Sequence, residues 1–255
     1  MNNIWVIAKN TYKETIRDRL LYTVTFLGFI YLIFTFFLSQ ISLDQGQRVV
    51  TDFGLAGILF FGIFISIFIG ANLLYKEFIS GTGQLLFPKP LSRSQYIIGK
   101  FFGISLTLLV VMFLLTLLFS LGYFSQFNQW PNLITYQAIL ASYLEILIIS
   151  ALALMFGVFT SPIASSLYSI ALFFIGHSFN LILSSALQSK NVIFTFLIKT
   201  AYFVLPNLEK FNLRNFAVYN LNISFTHFLL IFLYAVVYIL ILLIIAAALI
   251  KKKEL

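Results

Sequence analysis

The sequence predicts an all-α integral membrane protein with six transmembrane helices. Of its 255 residues, 61% are hydrophobic and 9% are charged, whereas about a quarter of the residues in an average soluble domain are charged. The apolar residues form six runs, each of the roughly 20 residues that a helix needs to cross a bilayer. The runs lack the alternation of a membrane β-barrel strand, so we expect helices. The predicted spans are residues 20–39, 53–75, 101–124, 138–159, 163–187 and 228–250.

Residues 4–18, which precede the first span, predict an amphipathic helix. Trp5 falls among apolar residues on one side of the helical wheel, and the opposite side carries Lys9, Lys13 and Arg17. A basic amphipathic helix of this kind is typical of the membrane interface, where a tryptophan lies at headgroup depth. We therefore predict an interfacial elbow helix; the alternative is a disordered basic leader.

Lysine and arginine are distributed unevenly between the predicted loops. If the N-terminus lies in the cytoplasm, the inner segments hold eleven of the 16 basic residues and the outer segments hold five. Cytoplasmic loops of membrane proteins carry an excess of Lys and Arg. We therefore expect both termini in the cytoplasm and the chain in the plasma (inner) membrane.

The inner connection at residues 76–100 is longer than two antiparallel helices need, since such connections usually have about 2 to 8 residues. Its sequence predicts a short helix at residues 76–87, which a pair of prolines ends. Ser92 and Gln95 then form the S-x-x-Q capping box that opens the third span. We predict that this ordered loop docks a cytoplasmic partner; a plain connector is the alternative.

The outer connection at residues 188–226 contains a seventh apolar stretch. It extends from Val192 to Leu205, is interrupted by Lys199 and is stopped by Pro206. Because about 14 residues are too few to cross a bilayer, the stretch predicts a re-entrant or interfacial helix. An ordered outer segment of this type is also a candidate lid, or a contact with an outer-compartment protein.

The sequence lacks the motifs of nucleotide and metal chemistry. It contains neither a G-x-x-x-x-G-K-[ST] phosphate-binding loop nor H-E-x-x-H. With no cysteine and two histidines, it predicts no metal site and no cofactor. The net charge of +8 lies mainly at the ends of apolar runs, which argues against a nucleic-acid partner. We expect no enzymatic activity.

Two ionisable residues lie inside predicted spans, Glu145 in the fourth and His177 in the fifth. Such residues are costly in lipid and are functional candidates by default. Each lies 16 positions from Ser161, at the centre of the turn between the two spans, so both reach the same depth in an antiparallel hairpin. We predict a contact between them; a purely structural role is the alternative.

Several short motifs occur in a fixed order along the chain. They are Arg17-Asp18-Arg19 before the first span, Glu77 and Gly81-Thr82 in the first inner loop, Lys89-Pro90-Leu91-Ser92-Arg93 and Gly99-Lys100 at the third span, and Leu205-Pro206-Asn207-Leu208-Glu209 with Phe211-Asn212 in the outer segment. In order and spacing they resemble the permease subunits of ABC-2 type ABC transporters over nearly the whole chain. The last motif is similar to that of the small six-span permeases that serve nitrous oxide reductase maturation.

The resemblance implies a half-transporter. Two permease copies, identical by default, would form the pathway within membrane lipid, and two separate ATPase subunits would bind below and drive it. We therefore expect the membrane subunit of an ATP-driven exporter whose cargo the family does not fix. The alternative is a secondary transporter or channel that works without an ATPase.

The resemblance also implies roles for particular residues. The loop helix around Glu77 would transmit the motion of the ATPase, and residues 190–214 would match the outer re-entrant helices that line the exit. The implied coupling residues are Glu77, Gly81, Thr82, Lys89 and Arg93, and the implied re-entrant residues are Pro206 and Glu209.

Overall fold

The computed structural model of the chain describes residues 2–42, 45–79, 92–188 and 192–252. Helices account for most of these residues, and no strand occurs among them. In chain order the helices are α1 (Asn2–Ile16), α2 (Arg19–Ile41), α3 (Gly46–Ile79), α4 (Arg93–Phe127), α5 (Leu133–Phe159), α6 (Pro162–Gln188), α7 (Val192–Val204), a 3-10 helix (Leu208–Phe211), α8 (Arg214–Val218) and α9 (Phe225–Lys252).

Six of the helices in the described ranges, α2 to α6 and α9, are long and apolar enough to cross a membrane. Each encloses one of the predicted spans, which confirms the all-α fold with six helices of spanning length. The predicted capping box opens α4. Ser92 Oγ accepts a hydrogen bond from the Gln95 N–H at 3.2 Å, and Gln95 Oε1 accepts one from the Ser92 N–H at 3.3 Å.

The bundle has two faces, which we name by what they hold. The terminal face holds the start of α1, the end of α3, the start of α4, the connection from α5 to α6 and the end of α9. At this face Arg93 Nη1 at the start of α4 donates a hydrogen bond to the carbonyl of Ile250 near the end of α9, at 2.6 Å. The distal face holds the end of α2, the start of α3, the connection from α4 to α5 and the end of α6. There Gln126 of α4 donates to the hydroxyl of Ser39 of α2.

Helix α5 lies at the centre of the bundle, with most of its side chains buried. It packs closely on α3, because a Cβ added at Gly62 would lie 2.4 Å from Ile146 Cδ1 and one added at Gly70 would lie 2.8 Å from Ala153 Cβ. It also contacts α6 and α9. By contrast, α2, α6 and α9 expose many large apolar side chains, as expected of faces that lipid or a partner covers.

Helix α1 packs lengthwise along α4. Ile7 lies against Gly99 and Thr11 against Gly103, and the hydroxyls of Thr15 and Thr107 share a hydrogen bond. These pairs advance in the same direction along both helices, so the two helices run parallel. The glycines of α4 allow this close approach, and the buried residues of α1 are the small side chains Ala8, Thr11 and Thr15.

Helix α3 continues through residues 76–79, so this described part of the predicted loop helix is continuous with the helix that carries the second span. Glu77 is in the last turn of α3. Gly81, Thr82 and Lys89 lie outside the described residues.

Candidate functional site

The segment that follows α6 turns back into the bundle from the distal face. Helix α7 packs on α6, where Thr195 Oγ1 donates to the carbonyl of Ala186 at 2.7 Å. Further on, Leu208 lies so close to Gly176 that a Cβ added there would be 2.7 Å from Leu208 Cγ. Gly176 is twelve residues before the end of α6, so the segment descends about 18 Å along that helix.

The descent brings three ionisable side chains together. His177 Nε2 lies 2.7 Å from Glu145 Oε1, and His177 Nδ1 lies 3.0 Å from Glu209 Oε2. The contact between Glu145 and His177 is the one expected from their matched depth. Glu145 is fully buried, and the ring of Phe173 packs edge-on against the imidazole with centroids 4.7 Å apart.

The third member of this group, Glu209, is held in place by its own turn. Asn212 Nδ2 donates to Glu209 Oε1 at 3.0 Å, and Asn207 Oδ1 accepts the Glu209 N–H at 3.2 Å, which caps the 3-10 helix. The Asn207 N–H in turn donates to the hydroxyl of Tyr234 on α9 at 2.8 Å. Pro206, the buried residue before Asn207, lies two residues after the end of α7. The re-entrant turn is thus fixed to both α6 and α9.

A cavity of about 270 Å³ adjoins the group. Helices α3, α5 and α6 and residues 211–214 form its walls, and Glu145 and His177 are among the lining residues. Most of the lining is apolar, and three of the side chains are aromatic. Those three are Phe173, Phe174 and Phe211.

Charged and polar side chains lie between this cavity and the distal face. Arg214, which lines the cavity, is paired with Asp52 of α3 at 3.0 Å. The guanidinium of Arg48 lies 5.6 Å from the ring centroid of Tyr219. Arg48 and Tyr219 line a second cavity of about 480 Å³, whose walls are mostly polar. A polar vestibule therefore lies next to the largely apolar cavity.

The arrangement can hold and move a proton. When both ring nitrogens of His177 carry a proton, each donates to one carboxylate; when one proton leaves, that nitrogen becomes an acceptor. Both ring nitrogens are engaged by carboxylates, so the imidazole offers no free lone pair to a metal ion. No group of three potential metal ligands is arranged to hold an ion in the described parts of the chain.

Of the five residues of the sequence-predicted coupling group, the described ranges include Arg93 and the backbone of Glu77. Arg93 joins α4 to the end of α9 at the terminal face. The backbone of Glu77 belongs to α3. The elbow residues Trp5, Lys9, Lys13 and Arg17 are all exposed, Trp5 with 63% of its surface.

Sequence reasoning missed the contact of Glu209 with His177 and the part played by Asn207, Asn212 and Tyr234. The residues were visible as polar side chains in an otherwise apolar chain. However, no local sequence pattern predicts how deeply a segment between two spans enters the helix bundle. The only signal was the proline that stops the seventh apolar stretch and turns the chain.

Comparison with protein families gives one match, which covers nearly the whole chain. A family model described as "ABC-2 family transporter protein" matches residues 5–255. Among curated proteins, none shows a significant match to the sequence.

Proposed function

The chain belongs to the ABC-2 transporter family, and from this premise we propose that it is the permease subunit of an ATP-driven exporter. The match over residues 5–255 carries the proposal. Since the sequence contains no phosphate-binding loop, ATP hydrolysis would reside in a separate partner. Two ATPase subunits would bind at the terminal face.

The geometry of α3 and α4 supports coupling at that face. These helices have 34 and 35 residues, and both extend from the terminal face to the distal face without a break. A displacement of the connection between them would move both helices directly. Because α3 contributes Leu55 and Leu59 to the cavity wall, such a movement would change the shape of the cavity.

The exposed basic residues support a cytoplasmic terminal face. Lys9 and Lys13 are exposed on α1, and Arg17 is exposed just before the start of α2; positive residues near span ends favour the cytoplasmic side. On this reading both termini lie in the cytoplasm, the re-entrant turn enters from the outside, and the membrane is the plasma (inner) membrane.

The exposed surface beside the cavity supports a second copy of the chain. Phe60 and Phe64 of α3 and Phe174 of α6 are exposed on the helices that form the cavity walls. A second identical permease at this face would cover these rings, and two-fold dimers are the commonest soluble oligomers. The pathway would then lie between the two copies.

Co-purification tests the proposal directly. The full chain would be expressed with an ABC ATPase encoded beside it, isolated in nanodiscs and assayed for complex formation and ATP hydrolysis. We expect a stable complex, which Glu77→Arg dissolves or uncouples because it reverses a charge in the last turn of α3. Lys9→Glu is the matched charge reversal on the exposed side of α1, and it should leave the complex intact.

Two results would contradict the proposal. If Glu77→Arg and Lys9→Glu behave alike, the ATPase contact does not lie at the end of α3. If no ATPase associates and the chain alone moves a solute down an ion gradient, the secondary transporter or channel is the correct function, and the Glu145–His177–Glu209 group becomes its proton site.

A further inference from the structure

The carboxylate of Glu145 has one oxygen that lacks a hydrogen-bond partner. Oε1 contacts His177, whereas Oε2 is buried and has none. Four buried side-chain atoms are in this position in the described parts of the chain, and Glu145 Oε2 is the one that belongs to an ionisable group. A buried polar atom without a partner is costly, and a carboxylate oxygen more than a hydroxyl. A proton on the carboxyl group would relieve this cost, and so would a donor from outside the chain. Because Oε2 is enclosed in this structure, such a donor would reach it from the cavity once the carboxylate turns toward that space.

Glu209 provides an internal comparison. Like Glu145, it contacts one ring nitrogen of His177. Its other oxygen, however, accepts a hydrogen bond from Asn212, and its side chain is about one third exposed. Of the two carboxylates, only Glu145 both lines the cavity and has an unpaired oxygen.

The group beside the cavity consists of two carboxyl groups and one imidazole, so it contains one acid more than it contains bases. His177 can carry one positive charge between two carboxylates. Arg214 is paired with Asp52 at 3.0 Å, so its charge is compensated locally. A donor that also carries a positive charge would therefore be favoured over a neutral donor.

The walls of the cavity determine what kind of cation fits. A hard inorganic cation needs about six to eight oxygen ligands, whereas most of this lining is apolar. Phe173, Phe174 and Phe211 offer aromatic surface, which attracts cations and packs against apolar groups. The lining therefore suits an organic cation with an apolar body.

We propose that this cavity binds an ammonium group carried on an apolar tail, with an N–H of the ammonium donating to Glu145 Oε2 and the tail packed against the phenylalanine rings. Within the proposed exporter, this ligand would be the cargo. Binding itself does not depend on an ATPase. The chemistry is shared by free amphiphilic amines and by the headgroup of an aminophospholipid.

The test uses the full chain in nanodiscs of phosphatidylcholine, without an ATPase. Titration calorimetry would compare 4-phenylbutylamine with 4-phenylbutanol, which has nearly the same shape but carries no charge; empty nanodiscs give the partitioning background. We expect the amine to bind about tenfold or more tightly than the alcohol, the size of a charge-assisted hydrogen bond. Glu145→Gln should abolish this preference.

Glu209→Gln is the matched variant, because it neutralises the other carboxylate at the same histidine. It should keep most of the preference for the amine, and the thermal midpoints of both variants would show that they are folded. Equal affinities for amine and alcohol in the unmodified chain, an equal loss in both variants, or binding of neither probe would each overturn the proposal.

Repeating the titration in nanodiscs that contain phosphatidylethanolamine identifies the source of the ammonium group. If the lipid competes with the probe, the site takes a lipid headgroup; if it does not, the site takes a free amine. Both results support the shared chemistry. The binding test contains no ATPase, so its result does not depend on whether an ATPase complex forms. The proposal of amine binding and the proposal of an ATP-driven permease are therefore tested separately.

Discussion

Two regions of the bundle, one in its distal half and one in its terminal half, are held together by different interactions. Toward the distal face, the re-entrant turn is joined to its neighbours by side-chain hydrogen bonds, with His177 between two carboxylates and Asn207 bonded to Tyr234. At the terminal face, α1 is joined to α4 by close approach, with Thr11 against Gly103. In the first region most of the joining contacts are hydrogen bonds between polar side chains. The second region combines a close approach of backbones with one hydroxyl pair, Thr15 and Thr107, and the ion pair of Lys100 and Glu14 at 3.8 Å.

This difference suggests different mechanical behaviour. Hydrogen bonds can exchange partners at small cost when another partner is near, so the distal region can rearrange around a ligand. Close packing of helix backbones tolerates little change in volume. We therefore expect α1 and α4 to move as one body, and the region around the cavity to change shape.

The largest effect should follow from His177→Phe. The substitution removes both hydrogen bonds of the imidazole and leaves Glu145 buried without any partner. We expect destabilisation by about 2–3 kcal/mol, measured as a fall in the midpoint of thermal unfolding in detergent. The control is His227→Phe, which changes the other histidine of the chain at an exposed position and should have little effect.

Combining His177→Phe with Glu145→Gln sharpens this prediction. If the two residues stabilise each other through their contact, the double variant should lose less than the sum of the single losses. Additive losses would show that the contact contributes nothing, and the distal region would then not depend on this hydrogen bond.

The terminal region is tested by Gly103→Ala. The added Cβ would lie 2.5 Å from Thr11 Cβ and 2.8 Å from the carbonyl oxygen of Ala8. The strain should exceed the roughly 1 kcal/mol that alanine gains over glycine within a helix, so we expect a net loss of about 1–2 kcal/mol. Thermal midpoints of the purified variants would measure it.

Gly157→Ala is the matched control for Gly103→Ala. A Cβ at Gly157 has no neighbour nearer than 3.4 Å, so the same substitution should be neutral or stabilising. If both variants lose the same stability, the loss reflects a general effect of alanine and not the close approach of α1 to α4.

The parts of the fold that could be predicted are those that one segment determines alone. A span is an apolar run of sufficient length, and the shared depth of Glu145 and His177 follows from counting residues back from one turn. The position of Glu209 depends on how far the segment after α6 enters the bundle, and no periodicity in the sequence predicts that depth. Its contact with His177 therefore needed the structure.

The packing face of α1 shows a second limit of sequence reasoning. The apolar side of the helical wheel draws attention to Trp5, but Trp5 is exposed and the buried contacts are made by Ala8, Thr11 and Thr15. Hydrophobicity indicates which side avoids water. It does not distinguish lipid from a neighbouring helix, whereas Gly99 and Gly103 of α4, which face Ile7 and Thr11, mark the side that packs against protein.

A smaller effect is expected where the re-entrant turn is anchored to α9. Tyr234→Phe removes the hydroxyl that accepts the Asn207 N–H and leaves the ring in place. Hydrogen bonds between helices in membrane proteins contribute about 0.6 kcal/mol on average and at most about 1.7, so we expect a loss near 1 kcal/mol in thermal stability. Tyr22→Phe, at an exposed position of α2, should change nothing measurable.

The smallest effect should come from the ion pair at the rim of the cavity. Arg214 and Asp52 lie 3.0 Å apart, but their side chains are 44% and 43% exposed, so Arg214→Gln should cost less than about 1 kcal/mol. The loss should shrink further at high salt, because exposed charges are screened. Thermal midpoints at low and high salt would measure both effects. A loss larger than that of His177→Phe would show that the exposed ion pair stabilises the distal region more than the buried hydrogen bonds of His177 do. The distal region would then not be held mainly by buried hydrogen bonds.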